Sequence, residues 1–113
     1  MNKETEKKLT IYNGGVTETQ IAQWKAQNRK VSQIAITDGN DRFIGYFKSP
    51  SQEAMSAANR LLKTDEIKAA MVIFDNCWLD GAPELKSAFP LKLAAANQLG
   101  ALVSGLDAEL KNL

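Results

Sequence analysis

The stretch VSQIAIT (residues 31–37), DGND (38–41) and RFIGYFK (42–48) decides the fold. Both outer runs alternate and are rich in β-branched and aromatic residues, and the Asp-Gly-Asn-Asp between them is turn chemistry, so the spacing predicts a β-hairpin. A two-residue turn at Gly39-Asn40 sets Ile36 against Phe43, Ile34 against Gly45 and Ser32 against Phe47. Ile34, Ile36, Phe43 and Phe47 then share one face, which is the expected core face. A turn at Asp38-Gly39 leaves the faces unchanged, because the register moves by two. The second face carries Val31, Ala35, Ile44 and Tyr46, so it does not read as a plain solvent face.

Downstream, Ser49-Pro50 starts a helix: Ser49 is the expected N-cap, Pro50 the first helical residue, and Gln52 completes a capping box. This helix extends to about Lys63, with Ala54, Met55, Ala58, Leu61 and Leu62 on its apolar side. Thr64-Asp65-Glu66 starts another, carrying Ile67, Ala70, Met71, Phe74 and Cys77 or Trp78, which Asp80-Gly81-Ala82-Pro83 ends. A last helix spans about Pro90 to Ser104, with Leu91, Ala95, Gln98 or Leu99, Leu102 and Leu106 along one side. Gly100 weakens it or marks a close helix contact, and residues 106–113 form a short helix or fray.

Upstream, Thr17 and Gln20 form a capping box before a helix over about Glu18 to Asn28, whose stripe is Ile21, Trp24 and Lys25. Asn13-Gly14-Gly15 is a turn, and Leu9 to Tyr12 reads as a short edge strand. Residues 1–8 have no apolar anchor and read as a flexible tail, leaving 9–113 as a single domain. An N-terminal helix, a hairpin (about 31–37 and 42–48) and three C-terminal helices give an α+β class. The helices must roof the hairpin, since two strands alone are not stable in water.

The 113 residues carry 14 basic and 13 acidic side chains, a net charge of +1, which gives no overall pull toward nucleic acid or anionic membrane. There is no histidine, the commonest proton-transfer and metal-ligating side chain. A lone Cys77 excludes an intrachain disulfide and a multi-cysteine metal cluster. The polar opening and the lack of a long apolar run predict a cytoplasmic protein without a membrane segment.

No chemical motif survives scrutiny. Gly100 to Gly105 has Walker-loop glycine spacing, but Leu106-Asp107 stand where Lys and Ser/Thr are required. From Asp75, positions 3 and 5 of a calcium loop are Cys77 and Leu79, which cannot ligate calcium. Cys77 has no histidine partner and sits in an apolar helical pattern, so it reads as an inert thiol. Asp38, Asp41, Asp65 and Glu66 serve turns and helix starts. The sequence therefore predicts no catalytic residue, metal or cofactor. Trp24, Ile44, Tyr46 and Trp78 are of types that anchor interfaces or belong to an apolar surplus, and Met55 and Met71 are adaptable groove residues. These six are the candidate protein-binding set, with a homo-oligomer as a further possibility. The alternative is a nucleic-acid surface of Lys25, Arg29, Lys30 and Lys48 beside the strand aromatics Tyr46 and Phe47.

Three segments taken together, Trp24-Lys25 with Val31 to Ile36, Ile44 to Pro50, and Phe74 to Gly81, carry a resemblance over about residues 20 to 106. The chain resembles small uncharacterised proteins from gut Bacteroides-type bacteria and their phages or prophages, and its layout is similar to that of phage tail assembly chaperones. The resemblance brings no catalytic residue. It implies a protein of the bacterial host cytoplasm that binds the tape-measure protein and keeps its apolar helices from aggregating.

Overall fold

The computed structural model describes residues 8–104 and 110–113, and of residues 101–104 only the backbone. The expected tail over residues 1–7, Leu106 of the last helical stripe, and residues 106–109 of the final stretch lie outside the described residues. The elements are β1 (Thr10–Tyr12), α1 (Glu18–Gln27), β2 (Val31–Asp38), β3 (Asp41–Lys48), α2 (Gln52–Leu62), α3 (Glu66–Cys77), β4 (Trp78–Gly81), α4 (Glu84–Ser87) and α5 (Phe89–Ser104).

The hairpin turns at Gly39-Asn40. Gly39 has φ +61° and Asn40 has no positive φ, the arrangement of a type II′ turn with glycine in its first central position. Ile36 faces Phe43, Ile34 faces Gly45 and Ser32 faces Phe47, the register that turn dictates. β3 is the centre of a four-stranded sheet. β2 lines one side of it. On the other side, β1 pairs in parallel with Asp41 to Phe43, and β4 pairs antiparallel with Gly45 to Phe47. The short strand expected near the N-terminus therefore extends the sheet, its Tyr12 ring stacked 5.2 Å from Phe43.

Two elements depart from the sequence reading. The helix expected to include Trp78 and end at the 80–83 turn stops at Cys77, and the chain leaves it with Trp78 at φ −60°, ψ 126° to form β4. The partner of that strand is more than thirty positions away in sequence. Helical apolar spacing continues through Cys77 and Trp78 and hides the switch. The one-turn helix α4 is too short to show a periodicity. Both give an α+β fold with a larger sheet and one more helix than expected.

Helix starts agree in principle and differ in one position. Thr17 Oγ1 accepts from the Gln20 N–H at 3.3 Å, and the Thr17 N–H donates to Gln20 Oε1 at 2.9 Å, completing the capping box of α1. Asp65 caps α3 by accepting from the Lys68 N–H at 3.0 Å. The cap of α2 is Ser51, not Ser49: Ser51 Oγ accepts from the Ala54 N–H at 3.1 Å, and Pro50 precedes the cap. A tertiary bond makes the choice, because the Ser51 N–H donates to Asn76 Oδ1 of α3 at 2.8 Å.

The core lies between the sheet and the C-terminal helices. Ile34 and Phe47 pack against Phe74 and Cys77 of α3 and Ala95, Ala96 and Leu99 of α5. Beyond them, Phe43 meets Ala82 and Leu85. Phe47 is 1% exposed, and burying such a side chain contributes about 2–3 kcal/mol. α2 lies outside this roof, packed on α3. The second sheet face is covered at Tyr46, which is 6% exposed and has the Trp24 ring of α1 5.8 Å away. No helix among the described residues is long and apolar enough to cross a membrane.

Candidate functional site

Helices α2 and α5 each pack on α3, and small side chains along the three leave a groove of about 400 Å³ between them. Its floor is Ala58 of α2, Ala69 and Ala70 of α3, and Ala96 and Gly100 of α5. Such small side chains cannot fill the space between the outward edges of the helices. Met55, Leu62 and Ile73 form apolar walls, and Asn59, Glu66 and Asn97 supply the polar positions. Leu62 is 50% exposed, and Ile67, next to the lining residue Glu66, is 49% exposed. The site is thus an apolar trough with a polar margin, the form of a surface that takes apolar side chains from a partner.

The structure separates the six predicted protein-binding residues. Met55 lines the groove. Met71 is half-buried and packs on the main core cluster. Trp24, Ile44 and Tyr46 belong to the opposite side of the sheet, where Trp24 covers Tyr46 and closes the second face at that residue. Trp78 is half-buried and packs against both core clusters, its ring 5.5 Å from those of both Phe47 and Phe74, with Lys86 Nζ 5.7 Å above it. Sequence reasoning missed the groove floor. The available signal was small residues at helical spacing: Ala58 and Ala70 read only as part of an apolar helix side, Gly100 as a weak point or close contact of the last helix, and Ala96 drew no reading.

The basic residues of the nucleic-acid alternative share one end of the sheet: Lys25 lies in the last turn of α1, and Lys48 sits opposite Val31, next to Lys30. Lys25, Arg29 and Lys30 are exposed, and Lys48 is half-buried. Tyr46 and Phe47 are 6% and 1% exposed, so neither presents a ring face on which a base can stack.

Cys77 is fully buried. Burial pushes its thiol up to about 11, and the nearby positive charge of Lys48 only partly offsets this. The sulfur is therefore protonated at neutral pH, unlike that of a nucleophilic cysteine. Asp75 pairs with Lys92 at 3.1 Å, and the Lys92 Nζ lies 5.1 Å over the Phe74 ring. Among the described residues, no group of three or more Cys, Asp or Glu side chains is placed to hold a metal.

The sequence matches no protein-family model. It matches no curated protein at a significant level. The structure is similar to that of an uncharacterised protein from Bacillus stearothermophilus, with a TM-score of 0.59 and 21% identity, over 81% of this chain and 99% of that one. At that identity the likeness speaks to the fold.

Proposed function

We propose that this chain is a non-enzymatic binding or assembly protein that receives an amphipathic helix of a protein partner in the groove between α2, α3 and α5. The groove itself carries the reading: an apolar trough of about 400 Å³ with a polar margin, beside the exposed Leu62 and Ile67. Helix-in-groove recognition places side chains at i, i+3, i+4 and i+7 into such a trough. The alanine and glycine floor lets the incoming backbone come close, and Met55 adapts to the shape of what enters. The resemblance to tail assembly chaperones supplies a partner of matching chemistry, the apolar helices of a phage tape-measure protein.

The test uses a groove-filling variant. A Cβ added at Gly100 meets nothing within 4 Å, so Gly100→Leu starts a side chain at the trough from an unobstructed Cβ. Fluorescence anisotropy with labelled amphipathic helical peptides from a phage tape-measure protein should show saturable binding. Gly100→Leu should weaken it roughly tenfold, equivalent to about 1.4 kcal/mol, with the melting temperature maintained. Absence of saturable binding, or equal affinity for the filled variant, would refute the reading.

A further inference from the structure

The two edges of the sheet are unlike. On the far side of β3 the edge is divided between β1, three residues, and β4, four residues, and short edge strands are poor templates for pairing. On the near side β2 runs unbroken for eight residues, and among the described residues no strand lies against it. Between Lys30 and Asp38 its sequence is Val-Ser-Gln-Ile-Ala-Ile-Thr, with no charge, proline or glycine to block an incoming strand.

The hairpin fixes which groups face outward. Residues flanking a two-residue turn form a hydrogen-bonded pair, so Asp38, Ile36, Ile34 and Ser32 direct their N–H and C=O groups toward β3. The Ile44 carbonyl, on the other parity of β3, accepts from the Ala82 N–H at 2.9 Å on the opposite side, as this pattern requires. Val31, Gln33, Ala35 and Thr37 therefore present their backbone groups to the open edge.

We infer that this edge pairs with β2 of a second copy, antiparallel, about a two-fold axis through Ile34. In that register Val31 faces Thr37, and Gln33 faces Ala35. These are the residues with outward backbone groups, so every ladder bond is made between them. Ile34 meets its own copy on the roofed face, with Ser32 and Ile36 on either side. Lys30 then lies opposite Asp38 at both ends, which makes the stretch from Lys30 to Asp38 self-complementary in charge. An isologous contact of this kind closes as a dimer and leaves no further edge of comparable length among the described residues. The pairing does not use the α2–α3–α5 groove and stands apart from the function proposed for it.

Sedimentation equilibrium over a concentration series tests the pairing. The native chain should show a reversible monomer–dimer equilibrium. Ala35→Pro removes an outward N–H without removing a β3 ladder bond, and should abolish the dimer while circular dichroism stays native. Lys30→Asp sets like charges together at both ends and should raise the dimer dissociation constant about tenfold. Adding Asp38→Lys to that variant should restore it, and this pair of variants decides the matter if the proline variant fails to fold. A chain monomeric throughout, a dimer indifferent to Lys30→Asp, or a failure of the double exchange to rescue would overturn the inference. A dimer abolished by Gly100→Leu and untouched by Lys30→Asp would overturn it in favour of the groove.

Discussion

Gly45 of β3 and Gly81 of β4 face each other across the sheet; a side chain at Gly81 would run into backbone, and one at Gly45 into packed side chains. A Cβ on Gly81 would lie 2.6 Å from the Gly45 Cα and 2.5 Å from the Ile44 carbonyl oxygen, at a φ of +154° that side chains rarely adopt. A Cβ on Gly45 would lie 2.9 Å from Leu85 Cδ1 and 3.0 Å from both the Phe47 and Trp78 rings. β4 can thus approach β3 this closely only because Gly81 is bare, and a bare Gly45 leaves room for Leu85 and the two rings.

Gly81→Ala should accordingly cost about 3 kcal/mol or more, combining backbone strain with a backbone clash that cannot relax. Gly45→Ala should cost less, about 1–3 kcal/mol, because its nearest obstacle is a flexible leucine methyl. Urea denaturation of the two variants should show this order, and equal midpoints would contradict it.

The hairpin was legible in the sequence because its determinants are local: a turn of two residues and an alternation that assigns Ile34, Ile36, Phe43 and Phe47 to one face. The capping box at Thr17 and Gln20 was legible for the same reason. β4 was not, since Cys77 and Trp78 continue a helical apolar spacing and the strand is selected by a distant edge and by Gly45. The groove was only half visible. Met55 stood out as an adaptable side chain, but a trough made by alanines is created by what those residues lack, and its existence depends on how three helices are set against one another. Trp24 and Tyr46 were readable as anchors, but that each covers the other depends on where α1 lies.

The two serines before α2 should differ sharply. Ser51→Ala removes the bond from the Ala54 N–H and should cost about 1 kcal/mol. Ser49→Ala, exposed and outside the cap, should change stability by less than about 0.5 kcal/mol. Asn76→Ala should cost about 1–3 kcal/mol, because it leaves the Ser51 N–H without its acceptor. Thermal melts of the three variants check the ranking; a Ser49 variant as damaged as the Ser51 variant would show that the cap lies earlier.

Gly100 lies within α5 at the groove, where a Cβ meets nothing within 4 Å. The close helix contact that this glycine suggested is therefore absent, leaving its helix-weakening effect. Gly100→Ala should stabilise the protein by about 0.5–1 kcal/mol, through helix propensity and a less flexible unfolded chain. A higher denaturation midpoint with an unchanged slope is the expected result, and a destabilised variant would show that the backbone there needs glycine.

Cys77 gives the protein an alkaline limit. Its thiol is raised from 9.0 to about 11 in the fold, chiefly because burial disfavours the thiolate. Below pH 9 both the folded and unfolded states hold the proton, so the thiol costs nothing. Between pH 9 and 11 the unfolded chain releases it first, and stability falls by roughly 1.4 kcal/mol per pH unit. Cys77→Ala should remove that component, so the difference in unfolding free energy between the two proteins should narrow steadily across this window and stay constant below it. A thiol reagent at pH 8 should label native Cys77 only as fast as the surrounding core opens, with the rate rising in denaturant. Rapid labelling of the folded protein, or parallel pH profiles for the two chains above pH 9, would show that the sulfur is reached by solvent.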